Sequence, residues 1–274
     1  MRFPDHARLI IGAACAAASC LAFATPESSR MEVVSRLQAA LPAVKPADYA
    51  LGSAAVDPAL REQLAANAAA AEPILAEGKR LWTRKFRNGR SLEGCFPNGG
   101  RRVAASYPQF DARLKRIVTL EIAINQCLKS HGEPLYEMTD AATMGAVVAH
   151  ARSLAAGRKL DVRVPARAEP LFEEGRRLHS TRMGQRNFAC ASCHVQGAGK
   201  YFGDEALSPA AGHGLAYPVV RKGSAVTLHA RMRECLELMG AAPFPAGSDE
   251  LNNLEYYLAF LGNGLTVSPN AWRP

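Results

Sequence analysis

Cys190-Ala191-Ser192-Cys193-His194 is the stretch that decides how the rest of the chain reads. Two thiols three positions apart can each form a thioether to a vinyl group of one haem, and the histidine that follows then falls under the iron as its proximal ligand. The competing reading is a redox or zinc Cys-x-x-Cys that happens to precede a histidine. Export of the chain would weigh against it, because haem of this type is attached outside the cytoplasm.

The start of the chain carries an export signal. Arg2 and Arg8 form a positive region, Leu9 to Ala24 holds no charge, and Ala22-Phe23-Ala24 is an A-x-A cleavage site. The apolar run is shorter than the ~20 residues a membrane span needs. Cleavage near Ala24 predicts a mature chain of 250 residues, soluble and without a membrane span. Cys15 and Cys20 leave with the leader. The net charge then changes from +8 to +7. In an exported haem protein such a balance suits an anionic substrate or an acidic protein partner, and no nucleic acid is expected. Cys95, Cys127, Cys190, Cys193 and Cys235 remain. Haem takes two, which leaves an odd set in an oxidising compartment.

Working outward from the haem motif, an internal repeat appears. Residues 71–81, Ala-Glu-Pro-Ile-Leu-Ala-Glu-Gly-Lys-Arg-Leu, match residues 168–178, Ala-Glu-Pro-Leu-Phe-Glu-Glu-Gly-Arg-Arg-Leu, at seven of eleven positions. Each block predicts a helix with Pro73 or Pro170 in its first turn, where a missing N–H costs little. After the second block comes the haem motif. After the first, allowing one gap, comes Leu92-Glu93-Gly94-Cys95-Phe96, which keeps the second cysteine but has lost the first cysteine and the histidine. Tyr107-Pro108 echoes Tyr217-Pro218, and Gln126-Cys127-Leu128 echoes Glu234-Cys235-Leu236. Each half ends in an amphipathic helix. The first carries Met144, Val147, Val148, Ala151 and Leu154 and stops at Gly157. The second carries Leu251, Leu254, Leu258 and Leu261 between Ser248 and Gly262.

The expected fold is mainly α, with two tandem cytochrome c-like helical domains. A leader at 1–24 and a helical extension at 25–70, loose near Thr25–Ser29, precede a haemless domain at 71–157. A linker at 158–167 leads to a haem-binding domain at 168–274. If the halves share a fold, Cys127 and Cys235 occupy equivalent places, opposite the proximal histidine. Met232 and Met239 compete for that place, since methionine is the common distal ligand of electron carriers. A cysteine kept in both halves favours Cys235. In the haemless half Cys95 and Cys127 have no porphyrin between them and are expected to form a disulfide, which needs Cα atoms within ~7 Å. A thiolate on iron lowers the reduction potential and suits sulfur chemistry better than electron carriage. Arg231 lies one helical turn before Cys235 and is expected to lower the thiol pKa and hold an anion. Arg221, Lys222 and Arg233 add charge nearby. His131, His150, His179, His213 and His229 are read as packed or surface residues, with His179 and His229 set apart because they fall near the haem segment and the Cys235 helix.

Arg231-Met232-Arg233-Glu234-Cys235, with Pro243-Phe244, Gly247-Ser248 and Leu254-Glu255-Tyr256-Tyr257-Leu258 behind it, resembles the C-terminal segment of the SoxA family. SoxA is the larger subunit of the SoxAX cytochrome of periplasmic thiosulfate oxidation. The degenerate motif at Cys95 is similar to family members with a single haem and a disulfide in place of the other. The resemblance implies one covalently bound haem c, held by Cys190 and Cys193, with His194 and Cys235 on the iron. It implies an L-cysteine S-thiosulfotransferase that joins thiosulfate to a cysteine of a SoxYZ-like carrier, with Cys235, as a persulfide, and Arg231 in the catalytic site. It implies a SoxX-like cytochrome partner and a periplasmic location. The alternatives are a non-catalytic electron-transfer cytochrome c and a tetrathionate-forming thiosulfate dehydrogenase, which normally carries two Cys-x-x-Cys-His motifs.

Overall fold

The structure is a computed structural model that describes residues 25–66, 68–221 and 223–268. The leader and its cleavage site lie outside the described residues.

The chain begins with α1 (Pro26–Ala40), a run of 3-10 turns over Pro46–Ala55, and α2 (Pro58–Ala66). Thr25 caps α1 by accepting the Ser28 N–H, so the segment expected to be loose is an ordered first turn. The first half then runs α3 (Glu72–Thr83), α4 (Leu92–Cys95), β1 (Gln109–Asp111), β2 (Arg116–Val118), α5 (Leu120–Ser130) and α6 (Ala146–Ser153). The second half repeats the order with an added hairpin and short helix after the haem motif. It has α7 (Glu169–Ser180), the haem-motif turn, β3 (Tyr201–Phe202), β4 (Glu205–Ala206), α8 (His213–Ala216), β5 (Val219–Arg221), β6 (Ser224–Val226), α9 (Leu228–Leu238) and α10 (Asp249–Leu261). Three separate antiparallel hairpins, β1-β2, β3-β4 and β5-β6, hold the strands. Among the described residues no helix is long and apolar enough to cross a membrane.

The same local chemistry sets both halves. Pro73 and Pro170 sit in the first turns of α3 and α7. Thr119 caps α5 through the Ile122 N–H, and Thr227 caps α9 through the Ala230 N–H. In each half the first and last helices cross at a glycine. A Cβ on Gly78 would lie 2.0 Å from the Ala146 carbonyl oxygen, and one on Gly175 would lie 2.0 Å from that of Asn253. Only a residue without a side chain permits backbones this close.

The halves also pack on each other reciprocally. Arg116 at the start of β2 reaches the Gly247 carbonyl at 3.2 Å and Asp249 at 3.0 Å. In return the Thr227 hydroxyl reaches the Met138 carbonyl at 3.2 Å, and Gly145 backs onto Ala225. This packing corrects the reading of α10. Its pattern predicts one buried stripe, yet every residue from Leu251 to Leu261 is buried. Its polar side chains find partners inside: Asn253 donates to Glu174 at 2.8 Å, and Asn252 donates to the Gly247 carbonyl at 2.9 Å. The segment between the halves is pinned as well. Leu160 and Val162 are buried, and Asn263 accepts the Val162 N–H at 2.8 Å.

The first half has closed over the space a porphyrin would take. Cys95 and Cys127 are joined by a disulfide, with Cα atoms 6.1 Å apart. Trp82, 1 % exposed, stacks on Phe96 at 5.1 Å and donates to the Gly99 carbonyl at 3.1 Å. Phe96 stands where the repeat puts His194. The N-terminal extension, first in sequence, packs on the second half: Tyr49 lies against Gly212, and Leu41 against Gly199.

Candidate active site

Cys190, Cys193, His194, Arg231 and Cys235, far apart in sequence, line one cavity in the second half. It is partly open to solvent. α7 ends at its wall with His179, the haem-motif turn brings the two thiols and His194, and α9 brings Arg231, Met232 and Cys235. Leu228, Leu236, Leu254 and Leu258 make the lining largely apolar.

His194 is oriented for a metal. Its Nδ1 lies 2.8 Å from the Ser208 carbonyl oxygen. A carbonyl only accepts, so Nδ1 carries the proton and Nε2 keeps its lone pair. Burial holds the imidazole below its ordinary pKa, which favours the neutral form that metals bind. His213 meets His194 edge-on, with ring centroids 4.4 Å apart, and its Nε2 lies 2.9 Å from the Ser208 hydroxyl. The Cys190 thiol is pushed up to about 12, by burial first and then by Cys235. A thiolate is disfavoured at this wall, whereas an uncharged thioether suits it.

His179 was missed as a site residue. It lines the cavity with its Nε2 buried and without a hydrogen-bond partner. Burial, then His194, brings its pKa down to about 3, so it presents a neutral ring. The signal was in the repeat, because His179 occupies the place of Trp82. Of the other histidines, His229 is buried outside the cavity, with Nδ1 accepting the Gly247 N–H and Nε2 3.2 Å from Glu255.

Arg231 acts on Cys235 in the expected direction, but it does not set the net shift. Burial raises the thiol pKa and outweighs Arg231, which pulls it down, while Glu205 and Glu234 push it further up. The guanidinium is shared: it pairs with Glu205 and, at 3.2 Å, with Glu234. Burial opposes the charge on Arg231, but Cys235, Tyr217 and Glu205 outweigh burial and hold its pKa above the usual value. Arg221 also lines the cavity, whereas Arg233 turns away to donate to the Phe244 carbonyl. Lys222 lies outside the described residues. Met232 and Met239 line the same cavity as Cys235.

This donor set fits a haem of the c type: two unpaired thiols, a metal-facing imidazole, and apolar walls with one orphaned ring nitrogen. A sequence model of the SoxA/TsdA cytochrome c domain matches residues 77–160 and 174–267, one stretch in each half. The chain belongs to the SoxA/TsdA cytochrome c family. A cytochrome c domain implies haem c. Within the family, the chain is 40% identical over 201 residues to the L-cysteine S-thiosulfotransferase subunit SoxA of Chlorobaculum tepidum, covering 72% of this chain and 69% of the relative. It is 34% identical over 254 residues to the protein of the same name from Allochromatium vinosum, covering 89% of each. The fold is similar to the crystal structure of SoxXA from P. pantotrophus, with a TM-score of 0.71 and 26% identity over 80% of this chain and 84% of that one.

Proposed function

We propose that this SoxA-family chain is the catalytic subunit of an L-cysteine S-thiosulfotransferase that works in the periplasm after its leader is removed. The observation that carries the proposal is the presence of Arg231 and Cys235 in the same cavity as the Cys-x-x-Cys-His motif. Cys190 and Cys193 would hold one haem c covalently, with His194 and Cys235 on its iron. When bound, the haem supplies a one-electron redox centre beside Cys235.

The reaction joins the sulfane sulfur of thiosulfate to a cysteine of a SoxYZ-like carrier protein. An S–S bond forms, the carrier thiol gives up its proton, and two electrons leave for a SoxX-like cytochrome subunit. Arg231 binds the sulfonate oxygens, for which its planar fork is matched. Cys235 would form an S–S bond to the sulfane sulfur with loss of the two electrons, and the carrier thiol would then attack that sulfur, taking the whole thiosulfate unit, losing its proton and releasing Cys235 as a thiolate. The largely apolar walls displace water from much of the site and strengthen the charge interactions inside.

Replacing Cys235 with Ala abolishes turnover and leaves the haem attached; full activity in that variant would remove the cysteine from the reaction. Intact mass under non-reducing conditions counts one haem, one disulfide and any sulfur added to Cys235. Because Met232 and Met239 also line the cavity, a spectrum showing thioether ligation opposite His194 would instead make the chain an electron carrier.

A further inference from the structure

Arg231 does not stand open to an incoming anion. Its side chain is 18% exposed, and each terminal nitrogen already faces a carboxylate, Nη2 that of Glu205 and Nη1 that of Glu234. Glu234 is three residues away on α9 and moves with Arg231. Glu205 belongs to a different part of the molecule, the β3-β4 hairpin, and is 48% exposed at the cavity edge.

That hairpin is tied at both ends to the N-terminal extension. The Tyr201 hydroxyl donates to Asp57 at 2.6 Å, and the Ser53 hydroxyl donates to the Ala206 carbonyl at 2.7 Å. Gly52 and Ser53 themselves line the cavity. The chain from the extension through the hairpin to the guanidinium is therefore continuous.

A carboxylate and a sulfonate compete for the same donors on an arginine fork. We propose that Glu205 is a specificity-determining latch on Arg231, which a substrate oxyanion must displace, carried on a hairpin whose travel the N-terminal extension limits. This rests on the reading of Arg231 as the anion-binding residue. The latch sets a charge threshold. A doubly charged anion such as thiosulfate gains enough from the guanidinium to replace one carboxylate, and a singly charged anion does not. It also assigns a task to the extension, which fixes how far the hairpin swings.

The test uses the complete complex with its partner subunit and carrier protein. For Glu205→Gln, the KM for thiosulfate falls about tenfold while kcat moves far less, a split that tracks binding of the anion and not the reaction step. Nitrate, inert towards the native complex at matched concentration, becomes a competitive inhibitor of the variant. Tyr201→Phe, which frees one end of the hairpin, shifts KM in the same direction by a smaller factor. A KM that is unchanged or raised in Glu205→Gln, with native haem content, overturns the latch. The underlying reading is separable: if Arg231→Ala keeps the native KM, the anion site itself is gone. A KM raised by Arg231→Ala but indifferent to Glu205→Gln removes the latch alone.

Discussion

At position 82 the chain carries tryptophan, and at the matching place in the second half, position 179, it carries histidine. The difference separates a filled interior from a cavity: Trp82 occupies space with its own ring, whereas His179 borders space and leaves a nitrogen unpartnered. Another matched pair, His150 and Tyr257, packs against the glycines of the two helix crossings. Burial, then Lys79, holds the His150 imidazole below its ordinary pKa, with Glu93 opposing. The unfolded chain binds a proton at this residue below its ordinary pKa and the folded chain resists it. The contribution to stability is therefore complete above about pH 6.5 and is lost as the pH falls below it. Urea midpoints measured between about pH 7.5 and 5.5 should drop, and His150→Phe should flatten that drop. The cysteine pairing was legible because cysteine recurs unchanged in both halves. The pair at 82 and 179 shares a place that the repeat also shows, but a tryptophan–histidine exchange does not say that one ring fills the interior while the other borders a cavity.

Helix boundaries were written locally. Pro170 at the start of α7, Ser248 as the cap of α10 and Gly262 at its end can each be read from a few neighbouring residues, because caps and breakers act through adjacent backbone groups. The burial of Asn253 and Glu255 was not legible, since their partners arrive from other elements, Glu174 from α7 and His229 from α9. Crossings at Gly78 and Gly175 belong to this scale. A methyl group at Gly78 would meet the Ala146 backbone oxygen and Cβ of His150 at once, and neither is a flexible side-chain tip. Gly78→Ala should therefore force α3 and α6 apart and cost about 1–3 kcal/mol, the range for an overpacked interior. Thermal unfolding followed by tryptophan fluorescence would show it, and an unchanged midpoint would mean the helices slide freely.

Across the whole molecule, the charge is not spread as the site chemistry suggests. Residues 71–157 contain 13 Lys and Arg against 8 Asp and Glu, while residues 168–274 contain 10 of each. The basic excess thus lies in the half without haem, and positive potential at the cavity comes from individual residues such as Arg231. The Cys95–Cys127 bond, closing a separation of 32 residues, stabilises that same half by about 3–4 kcal/mol on a chain-entropy argument. Replacing both cysteines with Ser should lower the denaturant midpoint followed by tryptophan fluorescence and leave haem attachment intact. The repeat made the two-half layout readable from sequence. It gave no hint that residues 41–57 lean on the second half, because that segment has no counterpart in the repeat.

The tryptophan in the first half has one further consequence. Its ring is accommodated by Gly100, at φ +89°, where any Cβ would come within 2.4 Å of it. Reinstating the missing cysteine at Leu92 and the histidine at Phe96 would rebuild the anchors of a porphyrin without reopening a berth for it. The berth is bricked up as well as disarmed, so building a second metal centre in this half demands several simultaneous changes.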